Sequence, residues 1–228
     1  MKKIIVKSLS KSTKLDKREA EAFLNVMAER YTFLFPPEMK DRFGPFFMIM
    51  RNETPAEVKP FDYSKIQISG DPVPPRDGDI EMVRKINQLD RRKESFEEYD
   101  EWENLFHELI ELCPERFSKW LQEKKASDEM FFFPHCIHVY ISFIYGYMHE
   151  DVVTLKRLPK IYVREFFEDH LLRKENVEPQ EYTNWPPALK YFYVFLHEMD
   201  YIEDPGRYIS RFDGFERPFL AHLQKRFG

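Results

Sequence analysis

Apolar residues return at helical spacing along most of this chain and alternate in only a few short stretches. Near the N-terminus, "MKKIIVK" is β-branched and precedes polar turn residues, which predicts a short strand. Asp16 with Glu19 three residues later has the capping-box pattern. It predicts a helix with Ala20, Phe23, Leu24, Met27 and Tyr31 on one face, ending before Pro36-Pro37. Residues 36–78 hold eight of the 16 prolines, so long helices are excluded there. Within them "PFFMIMRN" and "YSKIQIS" read as short strands, the second because Ile66 and Ile68 alternate with Gln67 and Ser69. "GDPVPPRDGD" reads as an exposed loop or domain boundary.

From Asp79 onward the pattern is helical. Ile80, Val83, Ile86 and Leu89 recur every third residue. Ser95 with Glu98 forms a second capping-box pattern, opening a helix with the apolar stripe Phe96, Tyr99, Trp102, Phe106, Leu109 and Ile110. Pro114 is expected to start a new short helix. Pro159, Pro186-Pro187, Pro205 and Pro218 are expected to open later ones, because proline is tolerated in a first turn. "MFFFPHCIHVYISFIYGYMHE" (residues 130–150) is the most apolar stretch. Pro134, His135, His138 and Ser142 lie inside it and no basic anchors flank it, so it reads as a central core helix rather than a membrane span. Its most buried face should carry Ile137, Tyr140, Ile141, Ile144 and Met148. The fold class is mainly α, a bundle-like helical body with a small β or extended N-terminal element. Residues 1–78 form a basic arm, helix and proline-rich region, and residues 79–228 form the body.

Composition supports helices: seven glycines in 228 residues are too few for many tight β-turns. The net charge of −5 argues against a general nucleic-acid coat but averages over a polarised distribution. Residues 1–18 carry seven Lys or Arg, including Lys2, Lys3, Lys7, Lys11 and Lys14, against one acid, Asp16. Residues 94–115 carry nine Asp or Glu and no Lys or Arg. Two unpatterned cysteines, Cys113 and Cys136, make no disulfide framework. The apolar run near the N-terminus is too short for a signal peptide, so a cytoplasmic location is expected.

The candidate chemistry is sparse. No two glycines stand close enough for Gly-x-Gly-x-x-Gly, a phosphate-cradling P-loop or Gly-x-Ser-x-Gly. No Glu-x-x-His motif is present, and "HELIE" (His107 to Glu111) lacks the second histidine of a zinc-protease helix. "EVK" (Glu57 to Lys59) after Asp41 has the letters of a nuclease metal site, but Glu/Asp-x-Lys triplets arise readily in this composition. Asp100, Glu103, His107 and Glu111 share one helix face, either as a solvated surface or as a receiver for a cation or a basic partner. His135 and His138 would share a face, with His149 three turns further, ~16 Å along a helix axis.

"LKRLPKIYVREFFEDHLL" and "ALKYFYVFLHEMDYIEDP", within residues 155–206, resemble the helical core-binding domain of tyrosine recombinases. Tyr201-Ile202-Glu203-Asp204-Pro205 stands where that family turns after its second apolar helix. The resemblance implies helical architecture. It does not carry catalysis, because the 22 residues after Gly206 leave no room for that family's catalytic domain. The matched residues also hold seven basic and ten acidic side chains, a poor balance for phosphate contacts.

The functional expectation is a non-enzymatic protein acting through interaction surfaces, with the basic arm and the acidic helix as contacts and no cofactor. A protein partner or self-association is favoured over nucleic acid and no membrane is involved. The alternative is a metal-dependent hydrolase or nuclease using His135, His138 and a carboxylate such as Glu111 or Glu150.

Overall fold

A computed structural model describes residues 57–227. The expected N-terminal strand and helix, the "PFFMIMRN" strand and the basic-arm lysines lie outside the described residues. The chain divides into two units. The larger is Lys59–His222. Of the smaller, Glu57, Val58 and residues 223–227 are described, and there the Gln224 side-chain amide donates to the Val58 carbonyl at 2.9 Å.

The described residues form helices and contain no strand. α1 spans Asp77–Glu94 and α2 spans Tyr99–Glu123. α3 runs Phe133–Ile141 and continues without a break as a π-helical turn, Ser142–Tyr147. α4 comprises Lys160–Glu165, a second π-helical turn Phe166–His170, and Leu171–Lys174. α5 is Trp185–Glu198 and α6 is Gly206–Phe227. α2 packs against both α1 and α3, and α3 packs against α5.

The segment around Tyr140 is interior packing, as its composition demands. Ile137, Tyr140, Ile141, Ile144 and Met148 are all buried, and Pro134 sits in the first turn of α3. The π-helical turn widens the helix so that three consecutive residues, Phe143, Ile144 and Tyr145, are wholly buried. Tyr193 of α5 stacks on Tyr208 of α6 at 4.3 Å, and its hydroxyl bonds the Tyr140 hydroxyl at 3.0 Å and donates to the Leu155 carbonyl at 2.9 Å. Among the described residues no helix is long and apolar enough to cross a membrane.

Several local expectations are corrected. Pro114 lies inside α2, because the stripe Trp102, Phe106, Leu109, Cys113, Phe117 and Trp120 stays in helical phase across it. Pro218 likewise lies inside α6, whereas Pro159, Pro186-Pro187 and Pro205 do stand at helix starts. Ser95 caps the end of α1 instead of opening α2, its hydroxyl donating to the Arg92 carbonyl at 3.1 Å. Phe96 takes a left-handed φ of 57° as the chain leaves α1, and its side chain is 75% exposed rather than part of the stripe. On α1 the buried face is Asp79, Met82, Ile86, Leu89, Asp90 and Lys93, while Ile80 is exposed. "YSKIQIS" contains a 3-10 turn, Tyr63–Lys65, followed by extended chain that pairs with a helix end and not with a strand.

Candidate functional site: an exposed acidic helix and a buried polar centre

The sequence-nominated face of α2 forms as its spacing predicts. Burying Trp102, Phe106 and Leu109 turns Asp100, Glu103, His107 and Glu111 outward, and all four are exposed. Glu101, Glu108 and Glu115 are exposed beside them. His107 Nε2 lies 3.5 Å from Glu103 Oε1. Lys85 of α1 pairs with Glu108, and Lys119 pairs with Glu115. Among the described residues no cationic side chain pairs with the carboxylates of Asp100 or Glu111, whereas Arg92 donates to the Glu101 carbonyl at 3.2 Å. This acidic end also suits the positive pole of the α2 dipole.

The second arrangement has no counterpart among the sequence expectations. Asp90 sits on the core face of α1, and its carboxylate accepts from the Tyr145 hydroxyl at 2.6 Å and the Tyr201 hydroxyl at 2.5 Å. Burial pushes the Asp90 pKa up to about 6, against the opposing pull of the two hydroxyls and of Lys156. One turn on, the buried Lys93 ammonium donates to the carbonyls of Ile144 and Met148, each at 2.7 Å. Burial pushes its pKa down to about 8. Lys156 lies over the Tyr201 ring at 4.2 Å and donates to Asn87 at 2.9 Å. The centre therefore joins α1, the π-helical turn of α3 and the turn after α5. The detectable signal is charge standing in apolar phase, since Asp79, Asp90 and Lys93 share one face with Met82, Ile86 and Leu89.

The histidines nominated for metal do not assemble a ligand set. His135 is exposed and lies 3.1 Å from a Glu175 oxygen, His138 is half-buried, and His149 Nδ1 meets the Gly146 carbonyl at 2.7 Å. Among the described residues no three His, Cys, Asp or Glu side chains are grouped to hold an ion. Glu111 is on the outer face of α2, and Glu150 is exposed. His170, in the second π-helical turn, is buried against Phe143 and Tyr147, and burial pushes its pKa down to about 4, helped by Arg173 and Lys174. Burial raises both cysteine thiols, which leaves them protonated and unreactive.

Comparison with known proteins finds no family model, no curated protein and no solved structure that matches this chain.

Proposed function

We propose that this is a non-enzymatic cytoplasmic protein that works through its surface, with the acidic face of α2 as the contact for a Lys/Arg-rich segment of a protein partner. One observation carries the reading: Asp100 and Glu111 are exposed, and no cationic side chain among the described residues pairs with either carboxylate. Such carboxylates attract a basic chain at long range and lose that attraction as salt screens it. The basic arm of a second copy, with Lys2, Lys3, Lys7, Lys11 and Lys14, has the matching chemistry.

The test uses the full chain and a labelled peptide of residues 1–18. Binding should be saturable at low ionic strength and weaken by about tenfold or more between roughly 50 and 200 mM salt, given several charge contacts. Reversing Glu103→Lys with Glu111→Lys should abolish it while leaving the unfolding midpoint unchanged, because both residues face solvent. Binding that ignores salt and survives the reversal would sink the reading. Retention of duplex DNA through the arm, in place of peptide capture, would move the partner class to nucleic acid.

A further inference from the structure

Residues 59–73 lie across the helical body as a strap, extended on either side of the 3-10 turn Tyr63–Lys65, and the body holds them largely by their main chain. At the N-terminal end, the Gln180 side-chain amide takes both polar groups of one residue. Its Oε1 accepts from the Lys59 amide at 2.9 Å and its Nε2 donates to the Lys59 carbonyl at 3.0 Å. Further along, every second residue is paired. The Ser127 hydroxyl donates to the Lys65 carbonyl at 2.9 Å, and the Ser127 amide donates to the Gln67 carbonyl at 3.1 Å. The Ser69 amide donates to the Lys124 carbonyl at 2.9 Å, Lys124 Nζ donates to the Asp71 carbonyl at 2.8 Å, and the Val73 amide donates to Glu198 at 3.0 Å. Pairing at 67 and 69 has the period of an extended chain, and the pairs at 65, 71 and 73 flank it beyond the 3-10 turn that ends at Lys65 and the bend at Gly70. The receiving groups are the end of α2, the turn after it, and the last residue of α5.

The track itself is built. Lys124 is buried, and its ammonium pairs with Glu198 at 2.8 Å. Glu198 also accepts from Trp120 Nε1 at 2.7 Å. Burial raises the Glu198 pKa, but Lys124, Trp120 and the Val73 amide outweigh it and leave the carboxyl below its usual range. The strap is the weaker half. None of residues 59–73 is buried, and its aromatic anchors are Phe61, 6.1 Å from the Phe133 ring, and Tyr63, whose hydroxyl accepts from Lys190 at 2.8 Å. Gly70, at φ +104°, supplies a bend near the end that leads into α1, because its backbone sits where side-chain-bearing residues rarely go.

We propose that this track is a binding site for an extended polypeptide segment of a partner chain, with aromatic residues two apart, and that residues 59–73 occupy it as a releasable internal ligand. Main-chain pairing supplies affinity with little demand on sequence, as when a strand adds to a sheet edge. The bonds at Lys59 and Lys65 are exposed and those at Asp71 and Val73 part-buried, and a segment without buried residues opens at lower free energy than the core. The site is separate from the acidic face of α2 and stands or falls independently of it.

Two measurements on the full chain test the proposal. In native-state hydrogen exchange, the Ser69 and Val73 amides should exchange about 100-fold faster than amides in the middle of α2, through local opening. A labelled peptide of residues 57–73 should bind Phe61→Ala/Tyr63→Ala about tenfold more tightly than the unmodified chain, because apparent affinity scales with the fraction of open track. Adding Gln180→Ala to that variant should weaken the peptide about tenfold, through the loss of two hydrogen bonds. Strap amides that exchange only with the α2 core would overturn the proposal, and that result decides alone if the double variant does not fold. Equal peptide binding to both chains would overturn it as well.

Discussion

Replacing Asp90 by asparagine tests the buried centre at its most unusual point. Burial takes the Asp90 pKa from 3.8 to about 6 even though two tyrosine hydroxyls donate to it. The folded chain therefore holds this proton more tightly than the unfolded chain does. Stability from this group is fully present below pH 3.8 and is lost as pH rises through about 6. The difference between the two pKa values corresponds to about 3 kcal/mol. The substituted amide resembles the protonated acid in shape and charge, keeping one acceptor for one tyrosine and offering its NH₂ to the other. Asp90→Asn should match the parent near pH ~4 and be more stable by about 3 kcal/mol near pH ~7. Urea unfolding of both proteins across that range measures this. Taking the difference cancels the carboxyls whose pKa is lowered, such as Glu81 and Glu198, since they are common to both chains. A flat difference, or a variant that loses ground as pH rises, would refute the reasoning. The first would mean that the two hydroxyls offset the desolvated charge in full, the second that they outweigh it.

Lys93→Met should remove a pH dependence of the opposite sign. The folded pKa is depressed to about 8, so the group's stabilisation is present above its unfolded value of 10.5 and lost as pH falls through about 8. The difference between parent and variant, followed by chemical denaturation from pH ~8 to ~10, should therefore change in the parent's favour as pH rises. Phe96→Gly should raise stability by about 1 kcal/mol in thermal unfolding, because it relieves a left-handed backbone at an exposed side chain that packs little. Asp79→Ala should cost about 3 kcal/mol in urea unfolding. It strips Arg116 of a two-pronged partner at 2.7 and 3.0 Å and removes the acceptor for the Arg76 amide at the start of α1.

What is legible in the sequence follows from the range of the interactions involved. The helical class, the interior role of the Tyr140 segment and the outward face of Asp100, Glu103, His107 and Glu111 all depend on local periodicity, which one chain displays in full. The break expected at Pro114 fails because a longer pattern overrides a local rule. The ring removes one hydrogen bond, but Cys113 and Phe117 keep the α2 stripe in phase and its packing outweighs that loss. Ser95 shows a similar competition. The same letters suit an N-cap and a C-cap, and the left-handed turn at Phe96 decides between them. The alternation of Ile66 and Ile68 does signal extended chain, and both are half-buried between exposed neighbours. Its partner is the end of α2, which nothing within residues 63–69 specifies.

Asp90 and Lys93 escape a sequence reading for a deeper reason, which also explains why they are tolerated. Alone, each would be a costly buried charge. Their partners stand far off in sequence: Tyr145 is 55 residues from Asp90 and Tyr201 is 111. The π-helical turn connects the two charges. A helix that ends inside the core leaves carbonyls short of amides, and Lys93 donates to those of Ile144 and Met148, the second of which also accepts from the Asp151 amide at 3.1 Å. The same turn presents Tyr145 to Asp90. One turn of α1 thus meets both the carbonyl end and a side chain of the distorted segment, using a cation for the first and an anion for the second. An apolar pair at these positions would bury more cheaply but take the Lys93 donor from both carbonyls, leaving Met148 with the Asp151 amide alone. The charges on α1 and the π-helical turn of α3 are therefore one structural unit, and neither is intelligible from its own stretch of sequence.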